Sequence, residues 1–167
     1  MKLLIALVFV SCLSSLAIGQ AKNDVSSDLI VAGVGWGPVV VNADRVTVEK
    51  RLGKGQGEEG SQYLDGVYFR EYPDFGIEVS YTHKGNKVVA IFFYNHQHRY
   101  EYMTTAPFKT DKGVGWQASY RDVKKAYGKP IEDNHGDQGD NWRRVVFEGI
   151  DFRFENDVMV RIGIPGK

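Results

Sequence analysis

Cysteine is nearly absent from this chain of 167 residues, where Cys12 is the only one. Beyond residue 12 there is therefore no disulfide framework, no thiolate nucleophile and no cysteine ligand for a metal. An excess of charge of either sign is also missing, with 21 Lys and Arg set against 21 Asp and Glu. Balanced, interspersed charge gives no electrostatic grip on nucleic acid or on an anionic lipid surface. No segment approaches the ~18 continuous apolar residues that a membrane-spanning helix needs. Catalytic signatures are lacking too: there is no Ser/His/Asp order, no zinc-hydrolase motif and no isolated carboxylate pair.

What is present begins with an export signal. Lys2 forms a short basic region, Leu3 to Val10 is an unbroken apolar run, and Ala17-Ile18-Gly19 is a small-x-small site before Gln20. This three-part pattern predicts a secretory signal peptide over 1–19, cleaved after Gly19. Cleavage leaves 148 residues without a thiol, and a secreted domain free of disulfides points to a bacterial periplasm or exterior. A second reading keeps Cys12 as the lipid-modified first residue of an anchored lipoprotein, although Phe9 fits poorly three positions before it.

The rest of the chain repeats itself. Gly33-Val34-Gly35-Trp36 recurs as Gly113-Val114-Gly115-Trp116, and Val48 to Lys54 matches Val123 to Lys129 at four of seven positions. Gly76-Ile77-Glu78-Val79 answers Gly149-Ile150-Asp151-Phe152, and Val89-Ala90-Ile91 answers Val160-Arg161-Ile162. The four blocks keep one order, which implies duplication. Asp44 and Ser119 stand as helix N-caps, Val48/Leu52 and Val123/Tyr127 are i, i+4 apolar pairs, and Gly53 and Gly128 are stops. Ile77, Val79 and Tyr81, like Ile150, Phe152 and Phe154, alternate with polar residues as half-buried strands do. The expected fold is α+β: two tandem repeats, each a short helical segment packed on a three-stranded antiparallel β-meander. The expected division is a signal peptide over 1–19, an N-terminal extension over 20–30, repeat 1 over 31–95, an inter-repeat segment over 96–109 and repeat 2 over 110–167.

A glycine turn, a short capped helix ending at Gly53-Lys54 or Gly128-Lys129-Pro130, and a meander opening on Gly76-Ile77 or Gly149-Ile150 make a recognisable pattern. It resembles the repeat of β-lactamase-inhibitory-protein-like domains, and is similar to the outer-membrane-assembly lipoproteins of the SmpA/OmlA type. The likeness covers about residues 29–95 and 106–164, and the first copy departs from it with Gly55 where the second has Pro130. The resemblance implies a helical layer on an antiparallel sheet, in non-enzymatic proteins that bind other proteins. No interface residue carries over from it.

Three motifs invite chemistry and fail on inspection. Gly55-Gln-Gly57-Glu-Glu-Gly60 spells a dinucleotide fingerprint, but it follows a helix, and Glu58 and Glu59 would repel phosphate. The acidic run Glu132 to Asn141 lacks the glycine and glutamate positions of a calcium loop. His96 and His98 would share a strand face as metal ligands do, without a third ligand fixed by the sequence. No catalytic residue, cofactor or metal is therefore expected. In an extended segment, Tyr94, His96, His98, Tyr100 and Tyr102 all point one way and make a candidate partner-binding stripe. The plainer reading is that these rings seal the two repeats together, and Trp36, Trp116 and Trp142 read as packing. The function expected is that of an exported, non-enzymatic binding module for another protein. An envelope structural lipoprotein anchored through Cys12 and a metal-dependent hydrolase stand as alternatives.

Overall fold

Period-two alternation builds most of this molecule, as a computed structural model of the chain shows; it describes residues 29–57, 66–95, 102–137 and 141–166. In Ile77–Thr82 (β5), Ile77, Val79 and Tyr81 are fully buried while the residues between them point to the other face. β5 pairs antiparallel with Val67–Tyr72 (β4) and with Val88–Tyr94 (β6). Farther on, Trp142–Phe147 (β9), Ile150–Glu155 (β10) and Val158–Pro165 (β11) form a second antiparallel run, with Glu132–His135 (β8) outside β9. Asn156 and Asp157, both at positive φ, make the tight turn from β10 to β11, a conformation that Asn and Asp tolerate better than other side chains with a β-carbon.

These strands do not form two separate helix-on-meander units, and that expectation is overturned. β6 and β11 pair antiparallel, Ile91 opposite Ile164 and Phe93 opposite Ile162. All seven strands thereby join in one sheet, ordered β4-β5-β6-β11-β10-β9-β8. A second sheet of four strands contains Leu29–Val31 (β1), Gly35–Trp36 (β2), Val39–Val40 (β3) and Lys109–Thr110 (β7), in the order β3-β2-β1-β7. The physical reason is edge satisfaction: an isolated meander leaves a row of unpaired N–H and C=O groups on each flank, and joining the two removes one such edge from each. The described residues are accordingly β-rich, with two α-helices of eight residues among them, Arg45–Leu52 (α1) and Tyr120–Tyr127 (α2).

The helices behave locally as the sequence implies. Each stops at a glycine with positive φ, Gly53 at 83° and Gly128 at 84°. Each has one fully buried residue, Val48 or Val123. Their N-termini differ. Ser119 and Asp122 form a reciprocal capping box, whereas Asp44 makes no side-chain cap bond and pairs with Lys87 Nζ at 2.8 Å.

Both helices and the small sheet pack against one face of the large sheet, and a single core results. Trp36 stacks 4.2 Å from Phe108, which meets Phe93 edge-on, and Tyr127 lies between Phe147 and Phe152. Trp36 and Trp116 contribute to this packing as expected. Trp142 does not: it lies half-buried on the opposite face, because its place on β9 is in phase with Arg144 rather than with Val145. No helix among the described residues is long and apolar enough to cross a membrane. Residues 1–19, with the expected signal peptide and Cys12, lie outside the described residues.

Candidate functional site

The face of the large sheet turned away from the core is not a plain polar surface. Strand register places its side chains in two rows. In the first, Arg144 of β9 stands opposite Arg153 of β10, which stands opposite Arg161 of β11, which stands opposite Tyr94 of β6. In the second, Val146, Asp151, Gly163, Phe92, Glu78 and Glu71 follow one another across six strands. Aromatic rings from Phe69, Phe92 and Trp142 lie half-buried among these charges.

Three arginines side by side repel one another unless acids intervene. Asp151 does this from the adjacent row. Its carboxylate, only 2% exposed, accepts from Arg144 Nη2 at 3.1 Å and from Arg161 Nη2 at 3.1 Å. Arg153 pairs with Glu155 at 3.1 Å. The Arg161 guanidinium also lies 4.8 Å from the centre of the Phe92 ring, and that of Arg153 lies 5.8 Å from Trp142. Orientation is thus fixed for each cation by a carboxylate and, for two of them, by an aromatic face.

The other end of the face is acidic. Glu71 and Glu78 stand directly opposite each other on β4 and β5. Burial, reinforced by the charge of Glu71, pushes the Glu78 carboxyl up to about 7 against the pull of Arg161 and a hydrogen bond with Tyr94. The Tyr102 hydroxyl donates to Glu71 Oε1 at 3.0 Å. Two members of the predicted stripe, Tyr94 and Tyr102, therefore converge on one acidic pair. Tyr94 is 8% exposed and Tyr102 56%, so the first is a packed member of the face and the second an open one. His96, His98 and Tyr100 lie outside the described residues.

The first part of the acidic run that suggested calcium has a structural use. Glu132–His135 is the edge strand β8, whose Asp133 accepts from Arg143 Nε at 2.9 Å and from the Tyr120 hydroxyl. Among the described residues no group of three His, Cys, Asp or Glu side chains is placed to hold a metal ion. His83 packs its ring 5.2 Å from Tyr68. Sequence reasoning missed both the arginine row and the Glu71/Glu78 pair. The usable signal was the polar phase of each strand, which the search for apolar alternation set aside.

No family model matches the chain, and no curated protein matches it. Among solved structures it is similar to a DUF4309 family protein, YjgB, from Bacillus subtilis subsp. subtilis str. 168. The two share 11% identity over 80% of this chain and 84% of that one, with a TM-score of 0.47, too distant to transfer a site or an activity.

Proposed function

We propose that this chain is an exported, non-enzymatic binding module that recognises another protein, in the periplasm or outside the cell, through the open face of its large sheet. The observation that carries this reading is the content of that face: aromatic rings and arginines, the residue types enriched at interfaces, in one fixed array opposite the core. Its charges are held by one another, so the pattern is preorganised and little ordering cost remains for association. A basic row at one end and the Glu71/Glu78 pair at the other give the surface a polarity that would orient a partner. The leader pattern over 1–19 supports export.

Photo-crosslinking in the native host tests this. A benzoylphenylalanine at position 69, 80 or 142 on the open face is expected to trap a discrete protein, and one at position 46 or 125 on the helices is not. Adducts from the helix positions alone, or none from the open face, would overturn the proposal. The mass of the exported chain tests the leader: a polypeptide beginning at Gln20 is expected, and a lipid-modified Cys12 would establish the anchored form in its place.

A further inference from the structure

A different part of the molecule carries a second site. Gly149, in the turn between β9 and β10, has φ +73°, and a β-carbon on it would stand 2.5 Å from the Gly33 nitrogen. Two glycines thus let this turn press against the end of β1, where the Gly33 N–H donates to the Gly149 carbonyl at 2.7 Å. The turn after β7, closed by Gly113 N–H donating to the Thr110 carbonyl at 2.8 Å, faces it, and α2 ends beside both at Tyr127. The three elements touch through Tyr127, whose ring meets Lys112 at 4.4 Å and Phe147 at 5.3 Å, but they do not close over it. They leave a cavity of about 660 Å³ walled by Tyr127, Phe147, Ile131 and Pro165, with Lys112 and Glu148 also lining it.

Three features of this cavity bear on a ligand. Its size and apolar walls are those of a small-ligand pocket. Ile131 is 69% exposed although its backbone is fixed by a hydrogen bond to the Val146 carbonyl at 2.8 Å. Lys112 and Glu148, contributed by two different turns, line one cavity yet form no ion pair with each other or with any described residue; the Lys112 ammonium sits 4.4 Å from the centre of the Tyr127 ring. One cation and one anion lining the same partly apolar cavity match a molecule that has both charges at its ends and an apolar body between them. We propose that the cavity binds a short apolar peptide as a zwitterion, with its carboxylate at Lys112, its ammonium at Glu148 and its side chains on Tyr127, Phe147 and Ile131.

The test uses the whole exported chain, nitrogen-15 labelled, titrated with the dipeptide Leu-Phe, its N-acetyl form and its C-terminal amide. Saturable shifts are expected at the amides of Gly33, Ile131 and Gly149. Blocking either end of the dipeptide should weaken binding by about two- to fivefold, as loss of one exposed ion pair would. In Glu148→Gln acetylation should no longer matter, and in Lys112→Met amidation should no longer matter. Both side chains are exposed, so unchanged melting temperatures are expected to show that the variants fold. Absence of saturable shifts at those amides would overturn the proposal. So would equal affinity for the free and blocked dipeptides. Neither result bears on the crosslinks from the open sheet face, which is a separate surface.

Discussion

The carboxylate of Asp151 fills the space in which a β-carbon on Gly163 would stand, with its Oδ2, Cγ and Oδ1 at 2.8, 2.9 and 2.9 Å from that position. The two residues are direct partners on β10 and β11. Glycine at 163 is therefore a packing requirement, since it allows Asp151 to lie flat on the sheet and reach two arginines at once. Gly163→Ala is expected to lower stability by about 2 kcal/mol, in the range of overpacked core sites. In an Asp151→Ala background the same substitution should cost at least about 1 kcal/mol less, because the clash is gone. Urea unfolding of the four proteins in this cycle measures the coupling, and strictly additive losses would refute the account.

Glu78 gives the open face a pH dependence whose sign can be worked out. Its carboxyl is raised from 4.5 to about 7 in the folded chain, first by burial, then by Glu71, while Arg161 and Tyr94 oppose the shift. The folded state therefore holds a proton that the unfolded state has released between those values. The stabilisation is fully present below about pH 4.5 and is lost as pH rises through about 7, and it amounts to about 3 kcal/mol at most. Glu78→Gln should melt like the parent at pH 4.5 and above it at pH 8, by about 1–2 kcal/mol. An equal gap between the two proteins at both pH values would contradict this.

The helix caps offer a paired comparison. Ser119 accepts from the Asp122 N–H at 3.3 Å, and the Asp122 carboxylate accepts in return from the Ser119 N–H at 2.9 Å. Ser119→Ala should cost about 1 kcal/mol. Asp44 holds the equivalent place on α1 without a cap bond, and its ion pair with Lys87 is exposed, so Asp44→Ala should cost less than about 0.5 kcal/mol. Thermal unfolding ranks the two, and a larger loss at Asp44 would show that the caps had been assigned wrongly.

These elements mark the division between what was legible in the sequence and what was not. Helix stops at Gly53 and Gly128 and strands at 77–82 and 150–155 rest on local rules, a positive φ or a two-residue period, and both rules can be read along the chain. Joining of the meanders through Phe93 and Ile162 could not be read that way. Neither could the parallel pairing of Ile30 with Thr110, since partners far apart in the chain leave no periodic trace. β8 is the extreme case: Glu132–His135 is exposed throughout and is a strand only because β9 lies beside it. At the site, Tyr94 and Tyr102 were visible as a stripe. Their acidic targets were not, because Glu71 and Glu78 are brought together by a hairpin turn and not by a motif.

Beneath the inner face, the hydroxyls of Tyr72 and Tyr81 lie 3.0 Å apart, both buried, and one donates to the other. Each answers the polar atom of its neighbour, with the Tyr81 ring also stacked 5.6 Å from Tyr68. Burial pushes both hydroxyls above the ordinary tyrosine range, so they stay protonated at any physiological pH. Removing one leaves the other desolvated and unpaired. Tyr81→Phe is therefore expected to destabilise by about 1–2 kcal/mol. The double replacement Tyr72→Phe with Tyr81→Phe should recover most of that loss, since neither polar atom then needs a partner. Denaturant midpoints of the two single variants and the double variant decide the matter. A double variant as unstable as the sum of the singles would mean that each hydroxyl answers to a different partner.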